Sequence, residues 1–259
     1  MIPVLVFDIE TIPDVAAIKK IGMYDECLSD QQILDLFISK RIELYGNDFV
    51  PLHLHKIVAI SCVFRNNQGL YVKTLGKHSD DEHTLLECFF SIINRYFPRL
   101  VSWNGTGFDL PVIHYRSMVN CISAPKYWDT GSYGDRDLKF NNYINRYHNM
   151  HLDLMDVLSK YNGRASVSMD ELAKLCNFPG KIGMNGSKVW DYWSDSKISE
   201  IRSYCETDVV NTWLLYCRFC LFRGDISKES YDDEINIVKH KISSLDGEHW
   251  KSFLKSWNN

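Results

Sequence analysis

No stretch of this chain is apolar for long enough to cross a bilayer. The longest apolar runs, such as Ile57 to Phe64, span less than half of the roughly 20 residues that a transmembrane helix needs. Surplus positive charge is missing too. Twenty-nine basic against 33 acidic side chains leave a net charge of −4, which excludes partner binding by bulk positive charge of the histone-like or polybasic membrane-surface kind. A phosphate-processing enzyme escapes that exclusion, because metal ions can supply its positive charge. Nor is there a cysteine framework. The eight cysteines are irregularly spaced, mostly inside apolar runs, and read as reduced core thiols of a cytoplasmic protein. One Cys-x-x-Cys, Cys217 with Cys220, sits among Leu214, Leu215, Phe219, Leu221 and Phe222, and no second pair stands at zinc-ligand spacing. Met1 to Phe7 is apolar but has no basic residue and meets Asp8 at once, so it reads as a strand and not as a signal peptide.

What is present is a globular composition, 45% hydrophobic and 24% charged over 259 residues, enough for one large core or two modest ones. Strands come early and helices late. Val4 to Ile9 is a nearly continuous apolar run, as a strand covered on both faces would be. Between Pro13 and Pro51 (about 14–50) a helical insertion is expected: Ser29 and Gln32 have capping-box spacing, Ile33, Leu34, Phe37, Ile38, Ile42 and Tyr45 follow at helical intervals, and Gly46 stops the helix. Ile57 to Phe64 and Leu70 to Leu75 read as strands joined by a turn at 65–69. An amphipathic helix runs from about Asp80 to Phe97, and Leu100 to Trp103 is a short strand. Asp109-Leu-Pro111 opens another helix, with proline in the first turn. Residues 125–148 show no period and read as a long surface loop. Leu152 to Tyr161 reads as an amphipathic helix, Ser168 with Glu171 as a second capping box, and 196–222 as helix until Gly224. Residues 1–224 form the expected main domain, and 225–259 a polar, weakly helical extension.

Three acidic clusters need an explanation. Asp8 and Glu10, at i and i+2 of the first strand, leave the same face, where two like charges repel unless a cation relieves them. A hard divalent cation with oxygen ligands is the natural relief. Asp109 stands at a strand-to-helix junction, where an N-cap would explain it equally well. Tyr204 and Asp208 are four apart and share one helical face, as an exposed face would also allow.

Read together and in order, Asp8-Ile-Glu10, Asn104-Gly-Thr-Gly-Phe-Asp109 and Tyr204-Cys-Glu-Thr-Asp208 resemble the three motifs of the DEDD superfamily of 3′–5′ exonucleases, and the tyrosine marks the DEDDy branch. The resemblance is nearest to the exonuclease domain of family B DNA polymerases, in the form of stand-alone bacterial exonucleases. Pro51-Leu-His53, Val58-Ala-Ile-Ser-Cys62, His151-Leu-Asp-Leu154, Pro179-Gly-Lys181 and Gly186-Ser-Lys-Val-Trp190 look like that group too, so the likeness covers about residues 1–220. It implies an RNase H-like α/β core with a mixed sheet flanked by helices. It also implies that Asp8, Glu10, Asp109 and Asp208 hold two divalent metal ions, Mg2+ or Mn2+, while Tyr204 positions the attacking water.

The same resemblance makes the partner a nucleic acid with a free 3′ end, single-stranded DNA ahead of RNA, and offers Thr11, Asn104, Phe108, Lys181 and Lys188 as substrate contacts. Phe108 could equally be a core residue of the following helix. In the 126–147 loop, Lys126, Arg136, Lys139 and Arg146 alternate with Tyr127, Trp128, Tyr133, Phe140, Tyr143 and Tyr147, which suits a single strand, although Asp129, Asp135 and Asp137 dilute the charge and a packed loop explains it as well. Asp153 and Asp156 read as a helix surface. Two other functions compete. A haloacid dehalogenase-type phosphatase would need a second Asp where Glu10 stands, and a nucleic-acid-binding protein without catalysis would not need all five motif residues.

Overall fold

The computed structural model describes residues 2–131 and 136–257. Its centre is a five-stranded sheet of β1 (Val4–Pro13), β2 (His55–Asn66), β3 (Gly69–Thr74), β4 (Arg99–Ser102) and β5 (His151–Asp153), in the order β3-β2-β1-β4-β5. The first three strands are antiparallel, whereas β4 and β5 run parallel to β1. Around the sheet lie α1 (Val15–Ile21), α2 (Asp30–Tyr45), α3 (Glu82–Tyr96), α4 (Asp109–Val119), α5 (Arg136–Phe140), α6 (Leu154–Leu158), α7 (Met169–Leu175), α8 (Val189–Ser194), α9 (Ile198–Arg223), α10 (Lys228–Ser243) and α11 (Glu248–Trp257). This is the α/β, RNase H-like architecture expected. Among the described residues no helix is long and apolar enough to cross a membrane.

Alternation along β1 builds both layers. Val4 and Val6 enter the core shared with α9, while Leu5, Phe7 and Ile9 pack with α3 and α4 on the other face. The strand outruns its expected end at Ile9 and continues to Pro13, so Asp8 and Glu10 lie inside it. Just past Glu10 the pairing shifts: Glu10 faces Ala59, Thr11 faces Ile57, and Val58 is the extra residue of a β-bulge.

The hairpin tightens to two residues between Asn66 and Gly69, and the Asn66 side chain accepts the backbone N–H groups of Gln68 and Gly69. In the insertion, Ser29 and Gln32 form the reciprocal cap and Gly46 adopts the left-handed C-cap. Only the first half of the α2 stripe is covered. Ile33 and Leu34 are buried, but Ile42 and Tyr45 are exposed. Ser168 does precede a helix, although its hydroxyl makes no capping hydrogen bond.

Three local expectations change. Part of the 125–148 segment departs from a surface loop: among its described residues α5 is helical and Tyr127 and Tyr143 are buried and stacked at 5.4 Å, while Trp128, Phe140 and Tyr147 stay exposed; Tyr133, Asp135 and the Arg136 side chain lie outside the described residues. The helix expected over 152–161 is a strand, β5, followed by the short α6, because parallel pairing to β4 claims 151–153. The tail after Gly224 is two full helices. Tyr231, Val238, Ile242, Trp250 and Phe253 bury their side chains in the core beside α9. Polar composition hid this, since each helix commits only one stripe to the core. Ile242→Val, a one-methylene deletion in that stripe, is expected to cost about 0.5–1.5 kcal/mol. Urea melts should show a lower midpoint at unchanged slope, because the tail unfolds with the sheet.

Candidate active site

β1 presents Asp8 and Glu10 on the face it shares with α9. The second segment arrives through the turn after β4, where Asn104 sits at φ 62°, a left-handed conformation that asparagine tolerates. Gly105 is required, because a Cβ there would come within 2.2 Å of the Ser102 hydroxyl, which is itself bonded to His151 Nε2 at 2.8 Å. From β5, the Asp153 carboxylate accepts the backbone N–H groups of Asn104 at 2.9 Å and Thr106 at 2.8 Å. The turn thus held delivers Asp109 as the first residue of α4, where its Oδ1 accepts the N–H of Ile9 at 3.2 Å. Helix α9 brings Tyr204 and Asp208 from the opposite side.

Four carboxylates from three separate segments therefore converge. Glu10, Asp109 and Asp208 are buried and Asp8 is half-buried. Burial, and then the charges of Asp109 and Asp208, push Asp8 well above the usual carboxylate range. Burial with Asp8 and Asp208 does the same to Glu10. Burial pushes Asp109 up to about 7 and raises Asp208. Such a cluster is unstable as four anions without cations.

Among the described residues, Lys181 brings a cation to this cluster. Its Nζ lies 2.9 Å from Asp208 Oδ2 and donates to the Tyr204 hydroxyl at 2.5 Å. Burial opposes its charge, yet Asp208, Asp8 and Glu10 together raise its pKa. Asp170 accepts the Lys181 backbone N–H at 2.6 Å and so fixes where the lysine starts. One ammonium does not satisfy the pocket. Among the described residues Asp208 Oδ1 is buried with no hydrogen-bond partner, and this unpartnered oxygen in a carboxylate cluster fits divalent cations such as Mg2+ or Mn2+.

Sequence reasoning missed Cys205. Its thiol lies 3.6 Å from Asp8 Oδ2, and the ligand atoms of Asp8, Glu10 and Cys205 all fall within 4.8 Å of one another. Burial and the neighbouring carboxylates push the thiol pKa up, so it stays protonated and donates. The missed signal is its place directly after Tyr204, one residue round the helix. Asp153 was misplaced rather than missed: with Asp156 it is buried, not a helix surface.

The suggested substrate contacts divide. Lys181 is in the cluster. The Thr11 hydroxyl pairs with His55 Nδ1 at 2.8 Å, and the half-buried Phe108 ring packs edge-on against His55 at 5.1 Å. Asn104 uses its backbone to hold the turn. Lys188 is exposed on the approach to α8, and its ammonium is not brought into the carboxylate cluster. Of the loop cations, Lys126 bonds the Asn94 carbonyl, Lys139 lies over Phe140 and Arg146 pairs with Asp156.

A family model described as a predicted 3′-5′ exonuclease related to the exonuclease domain of PolB matches residues 47–257. The chain belongs to that family. The match includes the segments that carry Asp109, Lys181, Tyr204 and Asp208, as well as both tail helices; β1, with Asp8 and Glu10, precedes it. The assignment as a 3′–5′ exonuclease therefore does not depend on the Asp-x-Glu of β1, which the fold places against the matched carboxylates independently. No curated protein matches the chain.

Proposed function

We propose that this 3′–5′ exonuclease trims single-stranded DNA in the cytoplasm, releasing 5′-mononucleotides, with two divalent cations, Mg2+ or Mn2+, held by Asp8, Glu10, Asp109 and Asp208. The convergence of those four carboxylates around an unpartnered Asp208 oxygen is the observation that carries the reading. When bound, such a pair of ions acidifies the attacking water, neutralises the phosphate and stabilises the leaving 3′ oxygen.

The side chains divide the remaining work. Tyr204 is pushed far above its ordinary pKa, by burial first and then by Asp208 and Glu10, so it stays protonated and orients water rather than removing its proton. Lys181 donates into the phenol oxygen, which turns the phenol proton away from the lysine. The same ammonium is a phosphate contact when the substrate enters. Asp153 keeps the 104–107 turn in place and with it Asp109.

Tyr204→Phe is expected to lower kcat by about tenfold to a hundredfold, the range of one positioned proton-handling group, and less than Asp208→Ala does. Retention of most activity by Asp208→Ala alongside complete loss in Tyr204→Phe would reverse the two assignments. The deciding experiment is a time course on 3′-labelled DNA and RNA with Mg2+ or Mn2+, with Asp8→Ala as control. Faster release from RNA would replace the DNA reading with an exoribonuclease. No mononucleotide release from either would leave a binding protein.

A further inference from the structure

Residues 154–169 are tied to the active site at both ends. At one end Asp153 holds the 104–107 turn, and at the other Asp170 holds the backbone of Lys181. Between these anchors the chain turns outward through two consecutive left-handed residues, Lys160 at φ 57° and Tyr161 at φ 59°. Neither is glycine, and such strain persists only where the surroundings hold it. Here the Tyr161 N–H bonds the Asp156 carbonyl at 2.7 Å, and the Asp156 carboxylate takes Arg146 in a two-point contact.

The strain displays a surface. The Arg146 guanidinium lies over the Tyr161 ring at 5.2 Å, and Tyr147 meets Tyr161 edge-on at 5.0 Å. Tyr147 is 71% exposed and Tyr161 38%. Lys160 and Arg164 flank them, also exposed. Arg146 is held between the Asp156 carboxylate and the Tyr161 ring, and the chain on either side of Tyr161 adds the exposed cations Lys160 and Arg164. Two exposed phenol rings, one under a guanidinium and with further exposed cations on the same stretch of chain, suit the bases and backbone of an unpaired strand. A duplex would keep its base faces stacked away from them.

We infer that Arg146, Tyr147, Lys160, Tyr161 and Arg164 form a stacking platform for the single strand a few nucleotides upstream of the bond being cut. The inference rests on the proposal that the carboxylate pocket cleaves a 3′ end, and it adds where the rest of the strand is gripped. The platform sets the preference for an unpaired tail, because only unpaired bases can lie on it. It also makes affinity depend on length, since a dinucleotide ends before the platform begins.

The test compares (dT)10, (dT)2 and the p-nitrophenyl ester of thymidine 5′-phosphate. The ester and the dinucleotide are too short for the platform and report on the pocket alone. In a Tyr147→Ala/Tyr161→Ala double variant, KM for (dT)10 is expected to rise about tenfold or more, from the loss of base stacking. Cleavage of the two short substrates and the melting temperature should stay near wild type, and Tyr161→Trp alone should keep the (dT)10 affinity. An unchanged KM for (dT)10, or an equal loss on all three substrates, would overturn the platform. If the wild type cleaves nothing, the nuclease reading fails separately. Anisotropy of fluorescent (dT)10 then decides: about tenfold weaker binding by the double variant supports the platform, and equal binding overturns it.

Discussion

Asp8→Ala should lower kcat on 3′-labelled single-stranded DNA by roughly 10³-fold or more, yet raise the melting temperature of the chelator-treated protein at pH 8. The two effects share one cause. Asp8 is held in a pocket with Glu10, Asp109 and Asp208, and burial plus like charge put its folded pKa well above its unfolded value of about 4. A raised carboxylate pKa means that the fold prefers the proton. Ionising Asp8 therefore destabilises the metal-free fold. The penalty is absent below pH 4, where both states are protonated, and grows as the pH rises towards the folded pKa. Alanine removes the penalty along with the proposed cation ligand. A gain of about 1 kcal/mol would appear as roughly 2–4 °C in a chain of this size, and it should vanish at pH 4. Thermal melts in EDTA at the two pH values read it directly. A variant that is inactive but melts lower at pH 8 would make Asp8 a structural residue and remove it from the chemistry.

That these side chains come together was legible in the sequence because its signals are local. Asp8 and Glu10 share a face through the period of a strand, Tyr204 and Asp208 share one through the period of a helix, and Asp109 follows a turn whose glycines are visible as letters. The sheet core was legible for the same reason: Leu5, Phe7 and Ile9 alternate with Val4 and Val6, and each set found its own layer. What escaped depends on distant partners. Three residues, 151–153, become a strand only because β4 is beside them, and nothing in their own period says so. Asp153 looked like an exposed helical acid; it caps α6 through the N–H groups of Met155 and Asp156, but it also accepts from two amides almost fifty positions earlier in the chain. Cys205 looked like core because it is buried; that its thiol faces Asp8 follows from the docking of α9 on β1. The tail was misjudged on composition, since one buried stripe is enough to seat a polar helix.

Chelation with EDTA is expected to abolish cleavage, and returning Mn2+ should restore it and stabilise the fold. A ligand that binds only the folded state, at a hundred times its Kd, contributes about 2.7 kcal/mol, so the melting temperature should rise by about 5–10 °C. Asp8→Ala and Asp208→Ala should lose most of that shift, because the stabilisation comes through their oxygens. Lys181 separates binding from catalysis. Its ammonium shares Asp208 Oδ2 at 2.9 Å and lowers the negative potential that would attract a cation. In Lys181→Met that competitor is gone, so the Mn2+ concentration giving half the thermal shift should fall. The Tyr204 hydroxyl loses its donor in the same variant, and the substrate phosphate loses the contact proposed for Lys181, so kcat should fall as well. Tighter Mn2+ binding with slower cleavage is thus the expected pair. If Lys181→Met instead bound Mn2+ more weakly, the lysine would be organising the carboxylates rather than competing for them, and its assignment as a substrate contact would have to be withdrawn.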